Sequence, residues 1–218
     1  ELNNVFLNIK KKWSKYSINK KFYPKLNNIE YWFDEQIFDD LLRLKSFIYE
    51  NVSNEKHLKF FKVTFADCIK PSSKMERQST KPYISSKFPK KIKPVFFFFL
   101  YSINAHLNAL KQYDSLSKKS SKEIKWLGFD ATNFNTIKEV IDIAITSPPY
   151  LNAFDYTQII KIESAWVGTL ENEDIIKLRS VQVGNEKRRD NEIDSFIETL
   201  FKPFYEELIN QGEKENKN

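Results

Sequence analysis

The chain has 218 residues and a formal net charge of +6, and its 41% hydrophobic and 15% aromatic content is enough for one large domain or two small ones. Its longest apolar run, 95–101, is far shorter than the roughly 18 residues that span a bilayer, and its start lacks a signal-peptide pattern, so we expect no membrane segment. The single cysteine excludes an intramolecular disulfide, and the reducing cytoplasm is therefore the expected compartment. The two histidines are far apart in sequence and suggest no metal site.

The first part of the chain is predicted to be mainly helical. Residues 1–28 suggest a short helix or an arm. From 33 to 51 the apolar residues recur at steps of three and four, as on one face of an amphipathic helix that Asp34 would cap. A second helix is predicted from about 55 to 69, and Cys68 on its apolar face is expected to be a buried small side chain rather than a nucleophile.

Excess positive charge is concentrated in the segment 70–93, which holds eight basic residues and one acidic residue. Prolines within and next to this segment favour an extended loop. Such localised charge predicts contacts with DNA phosphates, although a solvated surface loop is the alternative. The candidate DNA-binding residues here are Lys74, Arg77, Lys81, Lys87, Lys90 and Lys91, and a second basic group further on contains Lys187, Arg188 and Arg189.

The organisation is predicted to change near residue 120. Residues 95–110 suggest a buried helix, and 118–122 form a Ser/Lys linker. Beyond it, a strand at 124–129, a helix at about 133–140 and a strand at 141–146 alternate, which is typical of a parallel α/β layer. We therefore predict a helical region over 1–120 and part of an α/β domain over 121–218.

Helices are also predicted after the second strand. Asp155 is a plausible N-cap for a helix with Ile159, Ile162 and Trp166 on one face, and Gly168 would end it. Further helices are expected at 171–178 and 193–209, separated by a polar loop.

Between the second strand and Asp155 lies Thr146-Ser147-Pro148-Pro149-Tyr150. Two prolines cannot continue a sheet, so the strand should end in a rigid loop, at the sheet edge where α/β proteins bind ligands. An enzyme that methylates an amine of a flipped base must stack the base and accept hydrogen bonds from that amine. Ser147 and the Pro148 carbonyl offer acceptors, and Tyr150 offers a ring.

This motif resembles the catalytic motif of the S-adenosylmethionine-dependent DNA amino-methyltransferases. The continuation Leu151-Asn152-Ala153-Phe154-Asp155-Tyr156, with Trp166-Val167-Gly168 beyond it, is similar to one bacterial branch of that family. The resemblance implies a partial Rossmann-like methyltransferase fold and catalytic roles for Ser147, Pro148, Pro149 and Tyr150. It also implies that Asp130 lies near the adenine of the cofactor, whereas an ordinary strand-end cap is an equal alternative for Asp130.

The sequence departs from this family at the cofactor site. The family binds S-adenosylmethionine through a Gly-rich turn, but the four glycines of this chain, Gly128, Gly168, Gly184 and Gly212, are not paired at that spacing. The chain would then cover only the middle of such an enzyme, and a second polypeptide would supply the turn.

Three functions stay open from the sequence. The first is a subunit that methylates cytosine or adenine in double-stranded DNA once it is complemented. The second is a non-catalytic DNA-binding or partner-binding remnant of such an enzyme. The third is an unrelated α/β binding protein.

Overall fold

The computed structural model describes residues 2–76, 82–117, 143, 145, 147, 155–181 and 202. Short 3-10 turns at Trp13–Lys15, Lys20–Phe22 and Ile29–Trp32 link the first two α-helices. The α-helices are α1 (Leu2–Lys12), α2 (Glu35–Asn51), α3 (Glu55–Ser72), α4 (Val95–Ser117), α5 (Tyr156–Val167) and α6 (Asn172–Val181).

Helices α2 and α3 lie where the apolar periodicity predicts them. Asp34, in extended conformation, is the N-cap residue of α2, and the Asn54 side chain caps α3 by accepting a hydrogen bond from the His57 N–H at 3.1 Å. Helix α3 runs three residues beyond the predicted end and includes Pro71 in its last turn. Cys68 is buried, and its thiol donates to the Thr64 carbonyl, as expected for a side chain that fills the core.

Helix α4 is longer and more exposed than predicted. Val95, Phe99 and Ile103 in its first half are buried in the core, whereas Leu110 and Leu116 further along are exposed. The expected burial of this helix is therefore right only for its first half. None of the helices in the described part of the chain combines the length and the apolar character needed to cross a membrane.

An aromatic cluster joins α5 to the helices that precede it in the chain. The Trp166 ring is fully buried, with its centroid 4.9 Å from that of Phe38, 5.5 Å from Phe33 and 6.2 Å from Phe65. Edge and tilted contacts of this kind add to the stabilisation that comes from apolar burial. Helix α5 is thus part of the same core as α2 and α3.

Polar contacts strengthen this attachment. The Tyr49 hydroxyl on α2 donates to the Val167 carbonyl at the end of α5, at 2.5 Å. The start of α6 is held by the Asn172 N–H, which donates to the Lys25 carbonyl, and by an ion pair between Lys25 and Glu171. The chain on both sides of Gly168 is therefore fixed to the helical region.

The α/β prediction, including the partial Rossmann-like methyltransferase fold, is wrong: the described residues are predominantly helical and contain no strand. Two residues of the predicted strand 141–146 are described, Ile143 and Ile145, and they are 78% and 95% exposed and outside regular structure. An apolar run becomes a buried strand only where neighbouring strands pair with it, and two strands are too few for a stable sheet.

The remaining structural predictions fall largely on residues that are not described. The strand at 124–129 and the helix at 133–140 lie outside the described residues, as does the helix at 193–209 except for Lys202. The boundary near residue 120 stays a prediction for the same reason.

Candidate functional site

Ser147 is the one residue of the predicted catalytic motif that the structure describes. It is exposed and lies outside regular secondary structure. Pro148, Pro149 and Tyr150 lie outside the described residues, and so does Asp130, the candidate cofactor contact. The catalytic and cofactor-binding roles of these residues stay predictions.

The chain that follows the motif enters α5 through a strong cap. The Asp155 side chain accepts a hydrogen bond from the Gln158 N–H at 3.1 Å, as an N-cap residue does. Its other carboxylate oxygen lies 2.6 Å from the Arg179 Nε of α6. Asp155 was predicted as the cap, but the ion pair joins residues 24 positions apart and has no local sequence signal.

Two titratable side chains of α5 are perturbed by burial. Lys161 donates to the Gln158 side chain at 2.8 Å, and burial, followed by the charge of Arg179, lowers its pKa. Burial raises the pKa of the Glu163 carboxyl, whose Oε2 is buried without a hydrogen-bond partner in the described part of the chain. These two groups lie on α5, and no catalytic role is predicted for them.

The end of α5 follows its predicted form. Gly168 has φ of 80°, which an L side chain rarely adopts, and its N–H donates to the Ser164 carbonyl at 2.9 Å. Since Trp166 is buried in the aromatic cluster, α5 is fixed at both ends. Asp155, which follows the motif 146–150 in the sequence, consequently has a defined place on the helical region.

No family model matches the sequence of this chain, and neither a curated protein nor a solved structure matches it.

In the basic segment, Lys90 stabilises the fold, whereas other lysines are exposed to solvent. The Lys90 ammonium donates to the carbonyls of Lys70, Ser73 and Met75 at 2.9, 2.8 and 3.2 Å, which ties the segment to the end of α3. Lys87 and Lys91 are exposed. Lys90 therefore has a structural role, and its contact with DNA stays a prediction.

Lys74 lies at the start of the basic segment beside an exposed aromatic ring. The backbone N–H of Lys74 donates to the Trp32 carbonyl at 2.8 Å, and the Lys74 ammonium lies 5.7 Å from the centroid of the Tyr31 ring. The other candidate DNA-binding residues, Arg77, Lys81, Lys187, Arg188 and Arg189, lie outside the described residues. The described lysines alone therefore define the candidate surface.

Sequence reasoning missed a polar network between α3 and α4. His106 Nε2 lies 2.9 Å from the Asp67 carboxylate, and His106 Nδ1 lies 3.1 Å from the Thr64 hydroxyl. Beside Asp67 the two helices enclose a cleft of about 510 Å³. In the described part of the chain, no cluster of three His, Cys, Asp or Glu side chains has the geometry to hold a metal ion.

Proposed function

We propose that this chain is the motif-bearing subunit of an S-adenosylmethionine-dependent DNA methyltransferase, which methylates the exocyclic amine of a flipped cytosine or adenine. The proposal rests on one observation, the motif 146–150, which residues 151–154 separate in sequence from Asp155, the cap of helix α5. A base-binding loop must be held rigidly, because orientation supplies much of the catalysis in such a transfer. The attachment of α5 supports that requirement.

In this proposal the residues of the chain bind and orient the base. Ser147 and the Pro148 carbonyl accept hydrogen bonds from the amine, which leaves the nitrogen lone pair directed toward the incoming methyl group. Tyr150 stacks on the extruded ring, and Pro149 keeps the loop rigid.

The cofactor must be held elsewhere. The described glycine, Gly168, serves as the cap at the end of α5, and the chain contains no pair of glycines spaced for a Gly-rich turn. A second polypeptide that carries this turn is therefore part of the proposal. Double-stranded DNA is the other partner, bound through the exposed lysines of the segment 70–93, and we place the complex in the cytoplasm.

The test is complementation. The chain is mixed with a polypeptide that carries the Gly-rich turn, such as the product of a neighbouring reading frame, and methyl transfer to duplex DNA is measured with labelled S-adenosylmethionine. We expect transfer by the mixture and none by either chain alone. Ser147→Ala should lower the rate about 100-fold, by the loss of one acceptor that acts in the transition state.

Ser53→Ala is the matched control, because Ser53 is an exposed serine in the loop between α2 and α3. It should leave the rate unchanged. Full activity of Ser147→Ala would show that Ser147 is not the hydrogen-bond acceptor proposed here. DNA binding without any transfer by the mixture would instead support the non-catalytic remnant.

A further inference from the structure

The cleft between α3 and α4, the α3–α4 cleft, presents aromatic rings to solvent. Its lining includes Asp67 from α3, Lys93, which lies just before α4, and Phe97 and Tyr101 from α4. Phe97 and Tyr101 are one helical turn apart on the same face of α4, and both are exposed. Exposed aromatic side chains along a cleft indicate a binding surface.

The charges at the cleft restrict what it can bind. The Lys93 ammonium lies 4.1 Å from the centroid of the Phe97 ring, a close cation–π pair. Nearby in sequence, Lys87 lies 5.6 Å from the centroid of the exposed Phe88 ring. Proteins bind single-stranded nucleic acids with aromatic and basic side chains, since bases stack on the aromatic rings and phosphates are attracted to the cations.

Asp67 determines which part of a nucleotide can enter. Asp67 lines the cleft, and one of its carboxylate oxygens pairs with His106 Nε2 at 2.9 Å. The other oxygen can accept a hydrogen bond from the Watson–Crick edge of a base, where each of the four bases carries an N–H donor, whereas a phosphate would be repelled. A base therefore fits inside the cleft, while its phosphate fits outside, near Lys93. A duplex cannot bind in this way because its bases are stacked and paired.

We propose that the α3–α4 cleft binds an unpaired base of a single-stranded nucleic acid, with Phe97 and Tyr101 as stacking platforms and Lys93 as a phosphate contact. Among the described residues, none of those that line the cleft belongs to the motif 146–150, and the proposal does not rest on the proposed methyl transfer. The cleft shares Lys93 with the basic segment, but stacking on Phe97 and Tyr101 is not part of the contacts with the duplex backbone that are predicted for that segment.

The experiment measures binding of the purified chain, without cofactor, to a fluorescent thymine homopolymer of about 20 nucleotides. Tyr101→Ala and Phe97→Ala should each weaken binding about tenfold, as expected when one stacking platform is removed. Tyr113→Ala is the matched control: it removes an exposed tyrosine from the same helix, 60% exposed against 72% for Tyr101, that does not line the cleft. It should leave binding unchanged.

Lys93→Gln separates the charge contact from stacking. It should reduce the slope of log affinity against log salt by about 0.7, the value for one phosphate of a single strand. Binding to a duplex of the same length should be unchanged by Tyr101→Ala. Circular dichroism confirms that each variant is folded, and since Tyr101 is largely exposed its variant keeps the core intact.

Two results would overturn the proposal. One is an equal effect of Tyr101→Ala and Tyr113→Ala on single-strand binding. The other is a dimer in sedimentation that Tyr101→Ala dissociates with single-strand affinity unchanged, which would assign the cleft to a second copy of the chain.

Discussion

Lys45 is a buried lysine on the face of α2 that packs against the core. Only 3% of its surface is exposed, and its ammonium donates to the Phe22 carbonyl at 2.7 Å. Burial, followed by the positive charge of Lys62, lowers the pKa of Lys45 to about 8. The folded protein therefore carries a poorly solvated charge at neutral pH, which costs stability.

The pH dependence of stability should reveal this charge. The pKa of Lys45 in the unfolded chain is near its ordinary value of 10.5, so between about 8 and 10.5 the unfolded chain binds more protons, and stability rises with pH. Lys45→Met removes this titration. The free energy of unfolding of the wild type minus that of Lys45→Met should increase by about 3 kcal/mol across this window.

Urea unfolding at several pH values measures this difference. Lys56→Met is the control, because Lys56 is an exposed lysine in the first turn of α3, and its difference from the wild type should be constant. A constant difference for Lys45→Met as well would show that Lys45 does not titrate in this window.

At the scale of a helix, α5 depends on interactions at its N-cap residue. Asp155 caps the helix and pairs with Arg179, and both side chains are largely shielded from solvent. A shielded ion pair with a short contact contributes more than an exposed one, because water screens it less. Asp155 is therefore the residue at which the start of α5 is both capped and paired with α6.

Asp155→Ala should lower the free energy of unfolding by about 2 kcal/mol, by loss of the cap and of the pair with Arg179. A double-mutant cycle with Arg179→Ala should give a coupling energy of about 1 kcal/mol. The control cycle uses Glu55 and Lys59, an exposed pair one turn apart on α3, with an expected coupling below about 0.5 kcal/mol. Equal coupling in the two cycles would contradict a special role for the Asp155 pair.

At the scale of the whole molecule, Trp166 connects α5 to the helices α2 and α3. Its ring is enclosed by Phe33, Phe38 and Phe65, while its N–H has no hydrogen-bond partner among the described residues. The stabilisation from Trp166 is therefore apolar packing. Loss of this side chain would leave a large cavity between helices that are distant in sequence.

Trp166→Ala should destabilise the protein by about 4 kcal/mol, measured by urea unfolding. Ile160→Ala, at an exposed position of the same helix, should cost no more than about 1 kcal/mol. Comparable losses for the two variants would mean that α5 is not part of the core.

The sequence alone determined most of the helices in the described part of the chain, and both ends of α5. The spacing of apolar residues predicted α2, α3 and α5, because each needs only a local pattern of one buried face. Asp155 and Gly168 marked the ends of α5, because capping and positive φ are properties of single residues. The motif 146–150 likewise is a local sequence feature, and it carries the proposed function.

Only the tertiary structure decided which of these elements pack together. The strand at 141–146 was predicted from a local apolar run, but pairing with neighbouring strands is not a local property, and Ile143 and Ile145 are exposed. The ion pair between Asp155 and Arg179 joins residues far apart in sequence. The α3–α4 cleft does so as well, since Asp67 lines it together with Phe97 and Tyr101. Such contacts depend on how helices pack, which no short stretch of sequence encodes.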